Sequence, residues 1–571
     1  MRTFGRLIAA LAACAVTVVT LAAPAWAHAT LESSDPPAGA VLTTSPRQIT
    51  LRFDEPVEVS LGAIRVFDAR GKEIPVSPPS HPGGTGSLVA TNVPELAQGG
   101  YVVAWRVVSA DSHPVHAAFT FQVGTGPGVT DPNLVGSILA SEGGDRSVGV
   151  ALGVARFVAY AALAVLVGGM VFVAAVWPGG AHSRRTKIIL WTALVAGVVA
   201  TAMGIALQAP YAEGAGLSRM FEPSGWRAVV DTRSGRAWEA RLLLLLLVGT
   251  GLLATIRRVR TTAWRLVAGA AGVALIVAYA ESGHGGVGRA PLVGLVVTVA
   301  HLAAMSVWVG GLVLLALVVL RTPSPAEAIG VTRRFSAWAF AAVVVVVASG
   351  LVQAWRQVGS LHAATSTTYG RTLLVKTALV VVLVGVGALS RLALQRRLFD
   401  WRPAAVAQPV GAAVAVDHDR TGVDDDASVL RRLRRTVGAE VVLAGAVLAV
   451  TSLLVAAAPA VSAATGPFNT SVVQGSRIAD ISIIPAGVGR NTTHIYIITP
   501  SGSLDPASSI DVSITNLDRN IGPLPVPVEK AGPNHVTTDN MQIPFPGTWR
   551  IDVAAVFGQF DQVDFLATFH V

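Results

Sequence analysis

Cysteine is almost absent from this 571-residue sequence, and the one cysteine, Cys14, lies in the apolar stretch near the start of the chain. Residues 1–6 carry two arginines, residues 7–23 are apolar, and Ala25-Trp26-Ala27 fits the small-x-small pattern that precedes a signal-peptide cleavage site. We therefore expect residues 1–27 to be a cleaved signal peptide. The remaining chain would then contain no disulfide and no thiolate metal ligand.

Charged residues are also scarce, since they make up 13% of the chain while hydrophobic residues make up 52%. Soluble domains carry about 25% charged residues, so this composition indicates a membrane protein. Several apolar runs are long enough to cross a bilayer as helices. We predict a transmembrane domain over residues 149–460 with eight helices, at approximately 149–176, 187–209, 240–256, 264–281, 292–320, 335–354, 372–394 and 438–459.

The formal net charge of +9 suggests nucleic-acid binding at first, but the positions of the charges exclude it. Residues 28–145 contain six Lys/Arg and twelve Asp/Glu, and residues 465–571 contain five and nine. Positive charge is concentrated between the apolar runs. The loops predicted to face the cytoplasm carry nineteen Lys/Arg. The three loops that join spans on the opposite side of the membrane, together with their flanks, carry eight. This bias places both terminal domains outside the cell membrane.

Both terminal domains have the alternating pattern of strands separated by turn residues. Residues 28–123 contain four such runs, including Tyr101–Val108, and predict a small all-β sandwich of cupredoxin or immunoglobulin type. The Gly-rich segment 124–148 is expected to be a linker. Residues 465–571 predict a second small all-β sandwich. The whole chain is thus a multi-domain membrane protein with a helical bundle between two β-domains.

Cleavage after Ala27 would make His28 the first residue of the mature chain. A terminal histidine offers its α-amine and its Nδ1 to one metal ion, an arrangement that suits tetragonal copper(II). Asp111 and His113, in Ser109-Ala-Asp-Ser-His113, supply a carboxylate and a second imidazole. We expect these three residues to bind one copper(II) ion outside the cell. The alternatives are a polar turn at residues 109–113 or a lipidated Cys14, which would remove the free amine of His28.

Residues 28–123 resemble the CopC family of copper-resistance proteins. The resemblance rests on His28-Ala29, Ser34–Ala40, Leu51-Arg-Phe-Asp-Glu-Pro-Val57 and Gly100–Val115. It implies a copper-binding β-sandwich with His28, Asp111 and His113 as copper(II) ligands. Some CopC proteins also have a methionine-rich copper(I) site. Because residues 28–123 contain no methionine, we expect this domain to bind copper(II) alone.

Residues 149–460 resemble the CopD family of multi-span copper proteins. The matching residues include His301-Leu302, Trp308–Leu312, Arg334–Ser336, Ser349-Gly350, Tyr369-Gly370, Lys376, Arg435 and Glu440. Ser390-Arg391 stands where Asn-Arg is expected. The tail from about residue 465 is more weakly similar to YtkA-like domains. The resemblance therefore implies a copper-handling fusion protein.

Ionisable residues within spans are functional candidates because they are costly to bury in lipid. His301 is roughly 13 Å deep in the fifth span, and Met305 lies on the same helix face. The pair is either a copper relay or ordinary packing. His284, at the outer end of the fourth span, receives metal or is an interfacial loop residue. In the C-terminal domain His494, His535 and Met541 either bind copper weakly or are structural, and their lack of a recognised spacing favours structural roles.

The leading hypothesis is a copper-transporting protein of the cell membrane, not an enzyme. Its partners would be copper ions, the lipid bilayer and external copper donors, without nucleic acid. Import is favoured because the capture domain faces outside and the sequence has no nucleotide-binding loop. A haem-binding or copper-reducing membrane oxidoreductase is the main alternative. Oxidative catalysis at the terminal histidine is a third possibility. The anionic Asp111 and the lack of an aromatic substrate platform argue against it.

Overall fold

The computed structural model contains a β-domain, a helical bundle and a second β-domain. It describes residues 29, 31–37, 40–109, 112–124, 132–141, 144–256, 262–283, 291–322, 324–359, 361–400, 419–457, 459–460, 468–484, 486–499, 507–532, 534–558 and 561–571. His28, Asp111 and His284 lie outside the described residues.

The N-terminal domain is a sandwich of two sheets. One has the strand order β1-β3-β6 and the other β2-β8-β7-β4-β5. Phe53 and Trp105 meet edge to face in the core, with ring centroids 5.3 Å apart. The strands are β1 Leu31–Asp35, β2 Val41–Leu42, β3 Gln48–Phe53, β4 Val57–Asp68, β5 Glu73–Ile74, β6 Leu88–Asn92, β7 Gly99–Ser109 and β8 Pro114–Val123.

Strand β7 is buried on both faces, which explains its nearly continuous apolar sequence. One face, including Val103 and Trp105, packs in the core of the sandwich. On the other face, Val102 and Ala104 pack against Ile138 of helix α1, Pro132–Ser141. The segment expected to be a linker thus contributes a helix that covers the sheet.

The helical bundle contains eight long helical segments, at the positions of the eight predicted apolar segments. Among the described residues, six are long and apolar enough to cross a membrane: Arg146–Val176, Arg184–Glu213, Leu292–Arg321, Pro325–Val358, Thr368–Arg391 and Leu430–Ala456. A six-span membrane domain is therefore supported, while the count of eight spans stays a prediction.

The helices of the bundle follow in chain order. They are α2 Arg146–Leu163, extended to Val176 by two π-helical turns, α3 Arg184–Glu213, α4 Pro223–Val230, α5 Arg233–Ile256, α6 Thr262–Glu281, α7 Pro291–Leu317, α8 Pro325–Val358, α9 Leu361–Ser366, α10 Thr368–Asp400 and α11 Asp419–Ala456.

The C-terminal domain is a second sandwich, with strand orders β14-β15-β11-β10-β9 and β13-β12-β16-β17. Alternate residues of β16 are buried, as expected for a strand with one face in a core. Trp549 is fully buried there. The strands are β9 Phe468–Gln474, β10 Arg477–Ile484, β11 Gly489–Ile498, β12 Ser509–Asn516, β13 Ile521–Val526, β14 Glu529–Gly532, β15 His535–Ile543, β16 Thr548–Phe557 and β17 Asp561–His570.

The first span and α7 pack closely, because two glycines let their backbones touch. A Cβ atom on Gly168 would lie 1.8 Å from the Ser306 carbonyl oxygen, and one on Gly310 would lie 2.2 Å from the Ala164 carbonyl oxygen. Small residues at such crossings allow the dispersion contacts that hold membrane helices together. This contact fixes the position of α7, which carries His301.

We predict that Gly310→Ala destabilises the protein by about 1–3 kcal/mol, because the added methyl group must push the two backbones apart. Gly153→Ala on α2 is the matched control, since a Cβ there would meet no atom within 4 Å. Thermal unfolding of the two purified variants in one detergent measures the difference. Equal midpoints for the two variants would show that the crossing is not tightly packed.

Candidate metal site

The turn that joins β7 to β8 holds His113 in a fixed position. The Ser109 backbone N–H and Oγ both donate to the His113 carbonyl oxygen, at 2.9 and 3.0 Å. Ser112 has a positive φ of 75°, which lets the chain reverse direction. His113 is 4% exposed. The turn therefore presents His113 rigidly, while its predicted co-ligands His28 and Asp111 are outside the described residues.

His113 also contacts the membrane domain directly. Its Nε2 lies 2.8 Å from the Val455 carbonyl oxygen near the end of α11. A carbonyl only accepts hydrogen bonds, so Nε2 carries the hydrogen and Nδ1 is the basic nitrogen of the neutral ring. Metal-binding histidines commonly donate their second nitrogen to a carbonyl in this way, which orients the ring. The geometry suits Nδ1 as a metal ligand.

Two further polar side chains fasten the N-terminal domain to helix α3. Arg106 Nε donates to the Ala212 carbonyl oxygen at 2.5 Å, and Gln208 Nε2 donates to the Ser112 carbonyl oxygen at 3.0 Å. Arg106 is 4% exposed although it lies in an apolar strand. An apolar cluster surrounds these bonds, formed by Leu61, Val108, Ala209, Ala212 and Val229. The turn with the predicted ligands thus lies on the ends of α3 and α11.

A narrow cavity of about 40 Å³ lies beneath the turn, between Ser112 and His113 on one side and the helices on the other. Its helical wall includes Arg156, Tyr160, Arg241 and Tyr279. The Arg241 guanidinium stacks 3.6 Å from the centroid of the Tyr279 ring and bonds to Ser282. Arginines repel a metal cation, so this cavity is chemically unsuited to holding a bare copper ion.

Deeper in the bundle, His301 is fixed by a hydrogen bond to the neighbouring helix. Its Nδ1 lies 2.9 Å from Ser349 Oγ, and that hydroxyl donates to the Val345 carbonyl oxygen at 2.5 Å. Ser349 therefore accepts from Nδ1, and Nε2 is the basic nitrogen of the neutral ring. Met305 is partly buried and packs against the two apolar clusters of the bundle. These contacts orient His301. The contacts of Met305 are those of a packing residue, so they do not distinguish a copper relay from ordinary packing.

Glu440, which matches the CopD family pattern, bonds to a neighbouring helix. Ser390 Oγ donates to Glu440 Oε1 at 2.9 Å, and Arg434 Nε donates to the Leu320 carbonyl oxygen. Helices α10 and α11 are therefore tied by a hydrogen bond inside the bundle.

Within the described ranges, no three His, Cys, Asp or Glu side chains converge as a metal site would require. Arg106 and Gln208, which bond across the domain interface, are not among the residues predicted from the sequence. The signal for Arg106 was a charged residue inside the otherwise apolar run Tyr101–Val108.

Three parts of the chain match known families. Residues 31–124 match the CopC domain, residues 147–294 the N-terminal domain of copper resistance protein D-like proteins, and residues 329–454 copper resistance protein D. The chain is 25% identical over 567 residues to copper transport protein CutJ of Bacillus subtilis (strain 168), covering 96% of this chain and 97% of that protein.

Shorter relatives match the N-terminal domain. Protein YobA of Escherichia coli (strain K12) is 33% identical over 113 residues, which is 19% of this chain and 91% of YobA. The crystal structure of CopC from Methylosinus trichosporium OB3b is 32% identical and covers 17% of this chain and 93% of its own, with a TM-score of 0.16.

We predict that Arg106→Gln loosens the N-terminal domain from α3, because the Ala212 carbonyl oxygen loses a buried charged donor. Such bonds contribute about 1.5–3 kcal/mol, so hydrogen exchange at the end of α3 should accelerate roughly ten- to hundredfold. The control is Arg65→Gln on β4, since Arg65 is half-exposed and pairs with Glu73 at 2.6 Å. Exchange that is equally slow in both variants would mean that Arg106 does not hold the interface.

Proposed function

Because the chain belongs to the copper-resistance proteins that join a CopC domain and a CopD membrane domain in one polypeptide, we propose that it imports copper. The N-terminal domain captures copper(II) outside the cell, and the membrane helices carry copper inward. The observation that carries this proposal is the position of His113, a predicted copper ligand whose ring contacts the end of membrane helix α11.

The capture site consists of His28, Asp111 and His113. His28 contributes its α-amine and imidazole, Asp111 contributes a carboxylate, and His113 contributes Nδ1. One carboxylate with nitrogen donors suits a tetragonal copper(II) ion better than copper(I), which prefers softer ligands. Ala29 supports this arrangement, because it is buried in the core of the sandwich and thus holds the chain next to His28 against the domain.

The proposed sidedness is supported by where the β-domains lie on the bundle. The N-terminal domain contacts the C-terminal ends of α3 and α11, and the C-terminal domain follows α11 in the chain. Strands β1 and β10 of the two domains also pack together. Both domains therefore lie at one end of the bundle, and the arginine distribution of the loops supports a position of that end outside the cell membrane.

The path from the capture site must avoid the arginine-lined cavity beneath His113. His301 Nε2 and the Met305 thioether are the copper-compatible groups that we assign to the bundle, and His284, which lies outside the described residues, is the third. His301 is the only histidine in the eight apolar segments. The haem alternative would have to pair His301 with His284, which lies outside the eight apolar segments, and this favours copper transport over the oxidoreductase alternative.

The capture site is tested by titrating copper(II) into the purified full-length protein, with its native His28 terminus, and recording electron paramagnetic resonance spectra. We predict one tetragonal copper(II) per chain. One alanine placed before His28 separates the α-amine from the imidazole. Losing an outer-shell partner weakens metal binding by up to about 100-fold, so losing this direct chelate should weaken copper(II) binding by more than that.

His81→Gln is the matched control for this titration. His81 belongs to the same domain, and its Nδ1 bonds to the Leu88 carbonyl oxygen. We expect this variant to bind copper(II) like the unmodified protein. If the added alanine has no effect on affinity or spectrum, the terminal chelate is wrong.

A further inference from the structure

One face of the larger C-terminal sheet carries a row of polar side chains, although part of this face is buried. The other face carries Ile481, Ile495 and Val536 into the core. The polar row follows the strand register, because Ser482 pairs with His494, and Tyr496 pairs with both Asp480 and His535. Tyr496 is only 5% exposed, and Asp480, Ser482, His494 and His535 are half-buried, so this face is partly covered.

Two histidines meet within this row. His494 Nδ1 on β11 lies 3.2 Å from His535 Nε2 on β15, and the rings are inclined by only 24°. Their centroids are 5.5 Å apart. In a five-membered ring with bonds near 1.33 Å, each atom lies about 1.1 Å from the ring centre. The centroid distance is therefore close to the nitrogen–nitrogen distance plus two such radii, so both nitrogens lie on the line that joins the ring centres. The two nitrogens thus face each other head on.

The surroundings keep both rings neutral and fixed. Burial lowers the pKa of His494 to about 4, and burial together with the neighbouring His494 lowers the pKa of His535 to about 4. The Tyr496 ring stacks on His535 with centroids 3.9 Å apart. Among the described residues, the buried Ser482 Oγ and Tyr496 OH have no hydrogen-bond partner, so this partly covered face has polar atoms available to a ligand.

We propose that His494 and His535 form a second copper site, which takes copper(I) in linear two-coordinate geometry. With metal–nitrogen bonds of about 2 Å, the nitrogens must separate to about 4 Å, which moves each ring by less than about 0.5 Å. The ring that carries the shared N–H transfers it to its other nitrogen, so no net proton is lost. Imidazole is a suitable copper ligand.

Copper(I) fits this site better than copper(II) for two physical reasons. Two opposed nitrogens satisfy a linear d¹⁰ ion, whereas copper(II) needs about four ligands in a plane. Burying a single positive charge between neutral ligands also costs much less than burying a double charge. Met541 is not part of the site, because it is fully buried in the core and accepts a bond from Thr493 there.

This site does not depend on the proposed capture site, although the two domains touch. Strand β10 packs against β1, which begins three residues after His28. A chain with an alanine before His28 should lose copper(II) capture and keep copper(I) at His494 and His535. The two proposals can therefore fail separately.

The test is an anaerobic competition of the purified full-length protein against the copper(I) chelator bathocuproine disulfonate, in the background with the added alanine. We expect the parent protein to retain one copper(I) ion at His494 and His535. The His494→Gln and His535→Gln substitutions should each weaken that binding by more than about 100-fold. The double variant should be no weaker than either single variant. His570→Gln, at the end of β17 in the same domain, is the matched control and should bind like its parent.

Equal copper(I) retention by the parent and the His494→Gln variant overturns the proposal, as does preferential binding of copper(II). If the variants do not fold, the parent protein still decides the question. Silver(I), a redox-inert d¹⁰ ion, should protect His494 and His535 from diethylpyrocarbonate while His570 remains reactive. Modification of all three histidines at unchanged rates would contradict the site.

Discussion

The docking of the N-terminal β-domain on the membrane helices is the constraint on which the rest of the structure depends. Arg106, Gln208 and His113 form buried hydrogen bonds across this interface, each with a backbone carbonyl group as acceptor. Each donor would be costly to leave unpaired, so the bonds favour one arrangement of the domain over many. Ser112 and the predicted copper ligand His113 take part in these bonds, so the proposed capture of metal would be tied to the position of the membrane helices.

The interface also explains the sequence of β7. A strand with one face in a sandwich core normally alternates, but Tyr101–Val108 is almost entirely apolar because α1 covers part of its second face and α3 and α4 cover another part. The sequence pattern was enough to predict the strand. The pattern did not reveal the helices that pack on the second face of β7, because no residue of β7 specifies which distant helix covers it. The charged Arg106 within that run was the one local sign of a buried partner.

Other parts of the fold show the same division between local and distant information. The two sandwiches and the apolar spans follow from periodicity and length, which each segment carries in its own residues. Six of the eight predicted spans meet the length and composition of a membrane helix among the described residues. By contrast, His494 and His535 are separated by 41 positions and meet only through the register of β11 and β15. Sequence spacing could not predict that pair.

Electrostatics and ligand chemistry suggest how copper is handled along the molecule. The acidic N-terminal domain attracts cations, while Arg156 and Arg241 line the cavity directly beneath it and repel them. Under the proposed import, copper would need a route with nitrogen or sulfur ligands, such as His301 and Met305. The C-terminal domain adds two neutral, opposed imidazoles next to the capture domain. The chain would then hold copper(II) and copper(I) in separate, touching β-domains.

The most direct measurement of the central claim is copper uptake into proteoliposomes that hold the protein with its β-domains outward. External copper is added, and copper inside the vesicles is counted over time. The account predicts saturable inward accumulation that slows markedly when an alanine precedes His28. Uptake no faster than in empty vesicles, or equal uptake with and without the added alanine, would contradict it.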